Sequence, residues 1–233
     1  MKNILSDLPK GLADKIISYA KLPQTGVSLN QMVKFGQNPN QGALLRASQF
    51  VHYELPIRLA HRVIELDTIP KVNTMQSINR VKNWYIESFN ELIHFPQVPQ
   101  KIQEIVMANS CDTRENLMVS SGSELAEMPS MYYNNTKDIK YPREVKEYNN
   151  SFVKLISSIK RRHDAVVATV AQGVLEYKNS TNNENIDGEI QRFLDRFYLS
   201  RIGIRMLIGK QRWRHYTSSV ILLVTFRICC YCS

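Results

Sequence analysis

The sequence predicts an all-α chain: a four-helix bundle with short N-terminal helices, one long irregular insertion and an unstructured C-terminal tail. Three observations predict it. Apolar residues recur at three- and four-residue spacing over 40–67, 75–95, 148–178 and 187–209, which places one apolar stripe on each helix. No stretch shows the strict apolar–polar alternation of a half-buried strand. Residues 97–150, rich in Ser, Asn, Met and Tyr with scattered Pro and Gly, keep no period beyond a turn or two. Four helices that are apolar on one side only bury those stripes by closing on each other.

Taken in order, Pro9 to Tyr19 carries Leu12, Ile16 and Tyr19 at helical spacing and predicts a short N-terminal helix. KLPQTG then turns the chain, and a second short helix is capped by Ser28 and ended by Gly36. The helix from Asn40 points Leu44, Ala47, Val51, Leu55, Leu59, Val63 and Leu66 inward, with Pro56 at its middle, where a proline bends the axis or breaks the hydrogen-bond ladder. The helix from Met75 to Phe95 turns Ile78, Val81, Tyr85, Ser88, Leu92 and Phe95 to one side. The third long helix aligns Ile156, Ile159, Val166, Val170, Val174 and Tyr177, and His163 falls among them. The last aligns Ile190, Leu194, Phe197, Ile204 and Ile208, and Arg201 interrupts the stripe.

These interruptions are the first functional signal. An inward arginine keeps its charge and is costly to desolvate unless paired, so Arg201 implies a polar pocket between helices. Two readings stay open: a ligand site, or a structural pair with a buried acid such as Glu87. Tyr85 and Ser88 likewise fit either a ligand site or a satisfied core hydrogen bond.

Composition narrows the classes. At 233 residues, 43% hydrophobic and 22% charged, the chain can bury one substantial core. Its formal charge of +9 is spread along amphipathic helices, with no basic block and interleaved aromatics, which argues against nucleic-acid binding. Three of the four cysteines lie at Cys229, Cys230 and Cys232, so no disulfide-built secreted fold is expected. Accordingly the sequons at Asn134, Asn149 and Asn179 are read as products of an Asn-rich chain. His52, His61, His94, His163 and His215 show no metal-ligand spacing. The apolar run Val220 to Cys232 is too short, and broken by Arg227, for a membrane span. Its Cys230-Tyr-Cys-Ser ending is a poor prenylation box.

Several strings then become recognisable together. FLDRFYLSRIGIRMLI (193–208), RRHDAVVATVAQGVLEY (161–177), NWYIESFNELIHF (83–95), ELPIRLAHRVIEL (54–66) and TGVSLNQMVKFG (25–36) resemble, block by block, the regulatory half of the mitochondrial pyruvate dehydrogenase kinases. Branched-chain 2-oxoacid dehydrogenase kinases share the ELPIR and SRIGIRML blocks, but RFYLSR is more similar to the pyruvate enzymes. The resemblance implies a mitochondrial matrix protein of an ATP- and Mg²⁺-dependent serine kinase family that inactivates the pyruvate dehydrogenase α subunit. In such kinases a histidine-kinase-like ATP-binding domain follows the bundle. Up to Ser233 this sequence has neither that domain's motifs nor a P-loop. The expectation is therefore a regulatory domain over 1–209, with 97–150 as an insertion and 210–233 as an aberrant tail, lacking kinase activity alone and holding no cofactor or catalytic residue.

What the resemblance implies for sites is specific. The family's pocket for pyruvate-like carboxylates, dichloroacetate included, corresponds here to Tyr85, Ser88, Ile159, His163, Ser200, Arg201, Ile204 and Arg205. Arg201 is the expected carboxylate partner, and Lys160 stands where these kinases usually carry an arginine. A lipoyl domain of the dihydrolipoamide acyltransferase docks at one end of the bundle, where Phe35 and Phe50 match aromatic walls. A non-catalytic lipoyl-domain-binding module is the alternative.

Overall fold

The computed structural model describes residues 8–27, 41–69, 72–100, 102, 104, 141–181 and 188–216, with side chains as far as residue 209. Six helices span most of these residues: α1 (Lys10–Ala20), α2 (Gln41–Thr68), α3 (Gln76–Ile93), α4 (Arg143–Arg162), α5 (Val166–Thr181) and α6 (Gly188–Tyr216). A single 3₁₀ turn, Val72–Thr74, joins α2 to α3. No strand forms among the described residues, and none of their helices is long and apolar enough to cross a membrane.

The hub is α2, which packs against α1, α3, α4 and α6, while α5 lies on α3 and α4 on α6. Its predicted inward row, from Leu44 through Leu66, is buried throughout. From Ala47 onward that row joins Ile78, Val81 and Phe89 of α3, Phe152, Ile156 and Ile159 of α4, Val166 and Val170 of α5, and Phe193, Phe197 and Ile204 of α6 in one core. Pro56 is buried inside α2, and the helix continues through it. Close approach of α5 to α3 depends on Gly173, where a Cβ would lie 2.6 Å from Ile78 Cγ1.

The expected third long helix is two helices. At His163 the backbone leaves the helical region (φ −87°, ψ 0°), and Asp164 N–H bonds to Arg161 C=O at 3.1 Å, a tightened last turn. Charge explains the break: Lys160, Arg161 and Arg162 fill the last turn of α4 and Asp164 precedes α5, each sign at the helix end that favours it. Ile159 and Val166 are seven residues apart, so the apolar period runs on across the turn and hides it. α4 also begins at Arg143, inside the stretch expected to be irregular. Its Val145 packs with Leu45, Val98 and Ile102 in a second, smaller cluster. The expected helix at Ser28–Gly36, residues 105–140 of the insertion and the tail from 217 lie outside the described residues.

Candidate functional site

Four polar side chains predicted to face inward do so. Tyr85 (1% exposed) and Ser88 (0%) project from α3, His163 (2%) from the α4–α5 turn and Arg201 (8%) from α6. The break at His163 matters here, because a turn residue aims its ring differently from a residue on a helical stripe. The Tyr85 and His163 rings lie 4.8 Å apart between centroids, and Phe197 closes on Tyr85 edge-on at 6.2 Å. Arg201 donates a hydrogen bond to the Tyr85 hydroxyl.

Ser88 is the junction of the hydrogen-bond network. Its hydroxyl donates to Trp84 C=O at 2.7 Å, which leaves its oxygen to accept. Arg162 Nη1 donates to it at 2.8 Å, and His163 Nε2 lies 2.9 Å away. One donor and two acceptor directions are then used if neutral His163 carries its proton on Nε2. Arg162 also holds Glu91 through two bonds, at 2.9 and 2.6 Å, and meets Glu87 at 3.1 Å.

The electrostatics follow from burial. Desolvation drives the His163 imidazole down to about 4, opposed by the Trp84 carbonyl and reinforced by Arg201, Arg162 and Arg205. Burial pushes the Tyr85 hydroxyl up to about 12 against the pull of Arg201, Arg62 and Arg205. The same burial lowers the Arg201 guanidinium from its ordinary value, with Tyr85 opposing. The site therefore holds a neutral histidine, a neutral tyrosine and a fixed positive charge. It has no base poised near neutrality, so it suits anion binding better than proton transfer.

Arg201 makes no ion pair among the described residues; the suggested partner, Glu87, belongs to Arg162 instead. Asp164 is held by Arg205 at 2.9 Å. Of the other expected residues, Ile159 and Ile204 are in the main core, and Ser200 is half-buried on the neighbouring row of α6. Lys160 is also half-buried, on α4.

Sequence reading missed Arg162, the cation that touches Ser88, because periodicity puts it off the apolar face. Its signal was available as the basic run at a helix end. Also missed was Arg62 of α2, whose charge reaches Tyr85 although it lies outside the apolar row.

Phe50 is 3% exposed and part of the main core, so it offers almost no surface to a partner; Phe35 lies outside the described residues. On the flank of α2 is a cavity of about 290 Å³ lined by residues including Tyr19, Leu22, His52, Tyr53, Phe95 and Tyr148.

A family model described as mitochondrial branched-chain alpha-ketoacid dehydrogenase kinase matches residues 26–213. The chain is 38% identical over 228 residues to a mitochondrial pyruvate dehydrogenase (acetyl-transferring) kinase of Schizosaccharomyces pombe, covering 88% of this chain and 52% of that one. It is 36% identical to the protein of the same name in Arabidopsis thaliana, covering 90% and 45%. Isozyme 4 of Homo sapiens is 29% identical over 82% of this chain and 36% of its own length. The chain spans about half the length of the first two of these relatives.

Proposed function

The chain belongs to the mitochondrial pyruvate and branched-chain alpha-ketoacid dehydrogenase kinase family, and from that premise we propose that residues 1–209 are the regulatory, carboxylate-sensing unit of a pyruvate dehydrogenase kinase. The whole kinase would transfer the ATP γ-phosphate, with Mg²⁺, to serines of the pyruvate dehydrogenase α subunit in the mitochondrial matrix. Residues 1–209 would bind and sense; phosphoryl transfer needs ATP- and Mg²⁺-holding groups of a kind they do not contain. The pyruvate reading over the branched-chain one is supported by the names of the S. pombe and A. thaliana relatives.

One observation carries the sensing role: a buried Arg201 whose direct partner is a neutral tyrosine, while the nearby acids Asp164, Glu87 and Glu91 are held by other arginines. A small carboxylate would supply the missing negative charge, Arg201 giving a two-point fork and Tyr85 a hydroxyl. His163 and Ser88 hold Tyr85 and the turn in place. We also propose docking of a lipoyl domain at the bundle end. The cavity between α1, α2, α3 and α4 supports it as an aromatic-lined opening, with Tyr19, Tyr53, Phe95 and Tyr148 beside the polar Gln49, His52 and Gln97.

The test is melting of the purified chain with pyruvate or dichloroacetate. At one hundred times the dissociation constant, binding adds about 2.7 kcal/mol, a shift of several degrees at roughly 2–4 °C per kcal/mol. Arg201→Ala abolishes the shift and Arg201→Lys keeps part of it. Equal shifts in native and Arg201→Ala chains would place the ligand elsewhere. Retention on an immobilised lipoylated domain, compared with its unlipoylated form, tests docking separately.

A further inference from the structure

A second cation, Arg62 of α2, acts electrostatically on the Tyr85 hydroxyl. Arg62 lies at the seam of α2 and α6: one of its Nη groups pairs with Glu65, and the other Glu65 oxygen takes Arg196 Nε of α6 at 3.2 Å. Two arginines thus share one carboxylate and leave positive charge over. The Arg62 side chain is only 13% exposed. Its Nε–H is buried with no hydrogen-bond partner, the one cationic donor in that state among the described residues. A buried donor without an acceptor is costly and marks a place where an acceptor is missing. Tyr85 is where the two sides meet, since its hydroxyl feels Arg201 from α6 and Arg62 from α2.

We infer that Arg62 is a specificity-determining residue of the carboxylate site, its Nε–H donating to the 2-oxo oxygen of the bound acid while Arg201 takes the carboxylate. This rests on the carboxylate reading above. The assignment of roles follows from what each arginine has free. Arg201 feels Asp164 only at a distance and makes no ion pair among the described residues, so its fork suits two carboxylate oxygens. Arg62 has one Nη engaged by Glu65, and its buried Nε–H is the donor left without a partner, which suits one carbonyl oxygen. A planar 2-oxo acid presents both kinds of acceptor; a simple carboxylate of the same size presents only one.

The experiment is calorimetric titration of pyruvate and of propionate, which lacks the 2-oxo oxygen, into the native chain, Arg62→Leu and Glu65→Gln. Native protein is expected to prefer pyruvate about tenfold or more, the effect of a hydrogen bond from a charged donor. In Arg62→Leu that preference should fall to within roughly twofold, with propionate affinity nearly unchanged. Glu65→Gln removes the acid that competes for Arg62 and should tighten pyruvate; a purely structural Arg62–Glu65 pair predicts weaker binding in both variants. An unchanged preference in Arg62→Leu, or equal loss of both ligands, overturns the assignment while leaving the Arg201 site standing. Failure of the native chain to bind either acid overturns the carboxylate reading and Arg62 with it.

Discussion

Two regions of this bundle bury cations in different ways. Between α2 and α3, Lys82 (1% exposed) meets Asp67 (6%) at 2.6 Å, and Asp67 C=O takes Asn73 at 2.9 Å. Near the other face of α2, Glu54 holds Arg58 at 2.8 Å and the backbone N–H of Thr25 at 2.9 Å. Each cation meets an acid of the same chain, and the Lys82–Asp67 pair is closed, while Glu54 keeps its Oε2 buried without a hydrogen-bond partner. Around Tyr85 the arrangement is open: Arg201 meets a neutral hydroxyl, and Arg62 keeps a free Nε–H. Closed pairs fix how helices sit; an open one leaves a charge for something else to satisfy. Since breaking a buried pair costs far more than the intact pair contributes, mutations can tell the two kinds apart.

The largest effect should come from a closed pair. Asp67→Ala strands Lys82 without a partner and should cost about 3–5 kcal/mol in chemical denaturation. A loss well below that would mean the pair is not closed as described. Next is pH. His163 is held neutral, its imidazole lowered from 6.5 to about 4 by burial. Below 6.5 the unfolded chain takes up a proton that the folded chain refuses, so stability should fall as pH drops from about 6.5 to about 4. The His163 contribution to that fall is on the order of 3 kcal/mol. Comparison with His163→Gln isolates it, and identical pH slopes would contradict the buried neutral ring. Ser88→Ala should cost about 2 kcal/mol, because Arg162 and His163 each lose an acceptor in a buried setting. At the small end, Arg143 and Glu147 pair at 2.8 Å with side chains 89% and 61% exposed, and Arg143→Ala should leave stability unchanged.

The same comparison separates what was legible in the sequence from what was not. Periodicity located the buried row of each helix, and the stripe breakers Tyr85, Ser88, His163 and Arg201 are all inward. Residue spacing records which face a side chain occupies, and a polar residue on an apolar face stands out. The closed pairs were invisible for the opposite reason. Lys82, Asp67 and Glu54 lie off the predicted stripes, and their burial depends on a helix from elsewhere in the chain covering them. Arg162 and Arg62 escaped in the same way. The turn at His163 was missed because the apolar period crosses it in phase; only the charge reversal from Lys160-Arg161-Arg162 to Asp164 marked a helix end.

The claim that Arg201 is open for a ligand is tested most directly by titrating pyruvate into the native chain, Arg201→Ala and Arg201→Lys by calorimetry near pH 7.5, with circular dichroism confirming that each is folded. The account predicts one pyruvate per native chain, intermediate affinity for Arg201→Lys, and affinity lower by at least about tenfold, a difference of about 1.4 kcal/mol, for Arg201→Ala. The same dissociation constant for the native chain and a folded Arg201→Ala would contradict it.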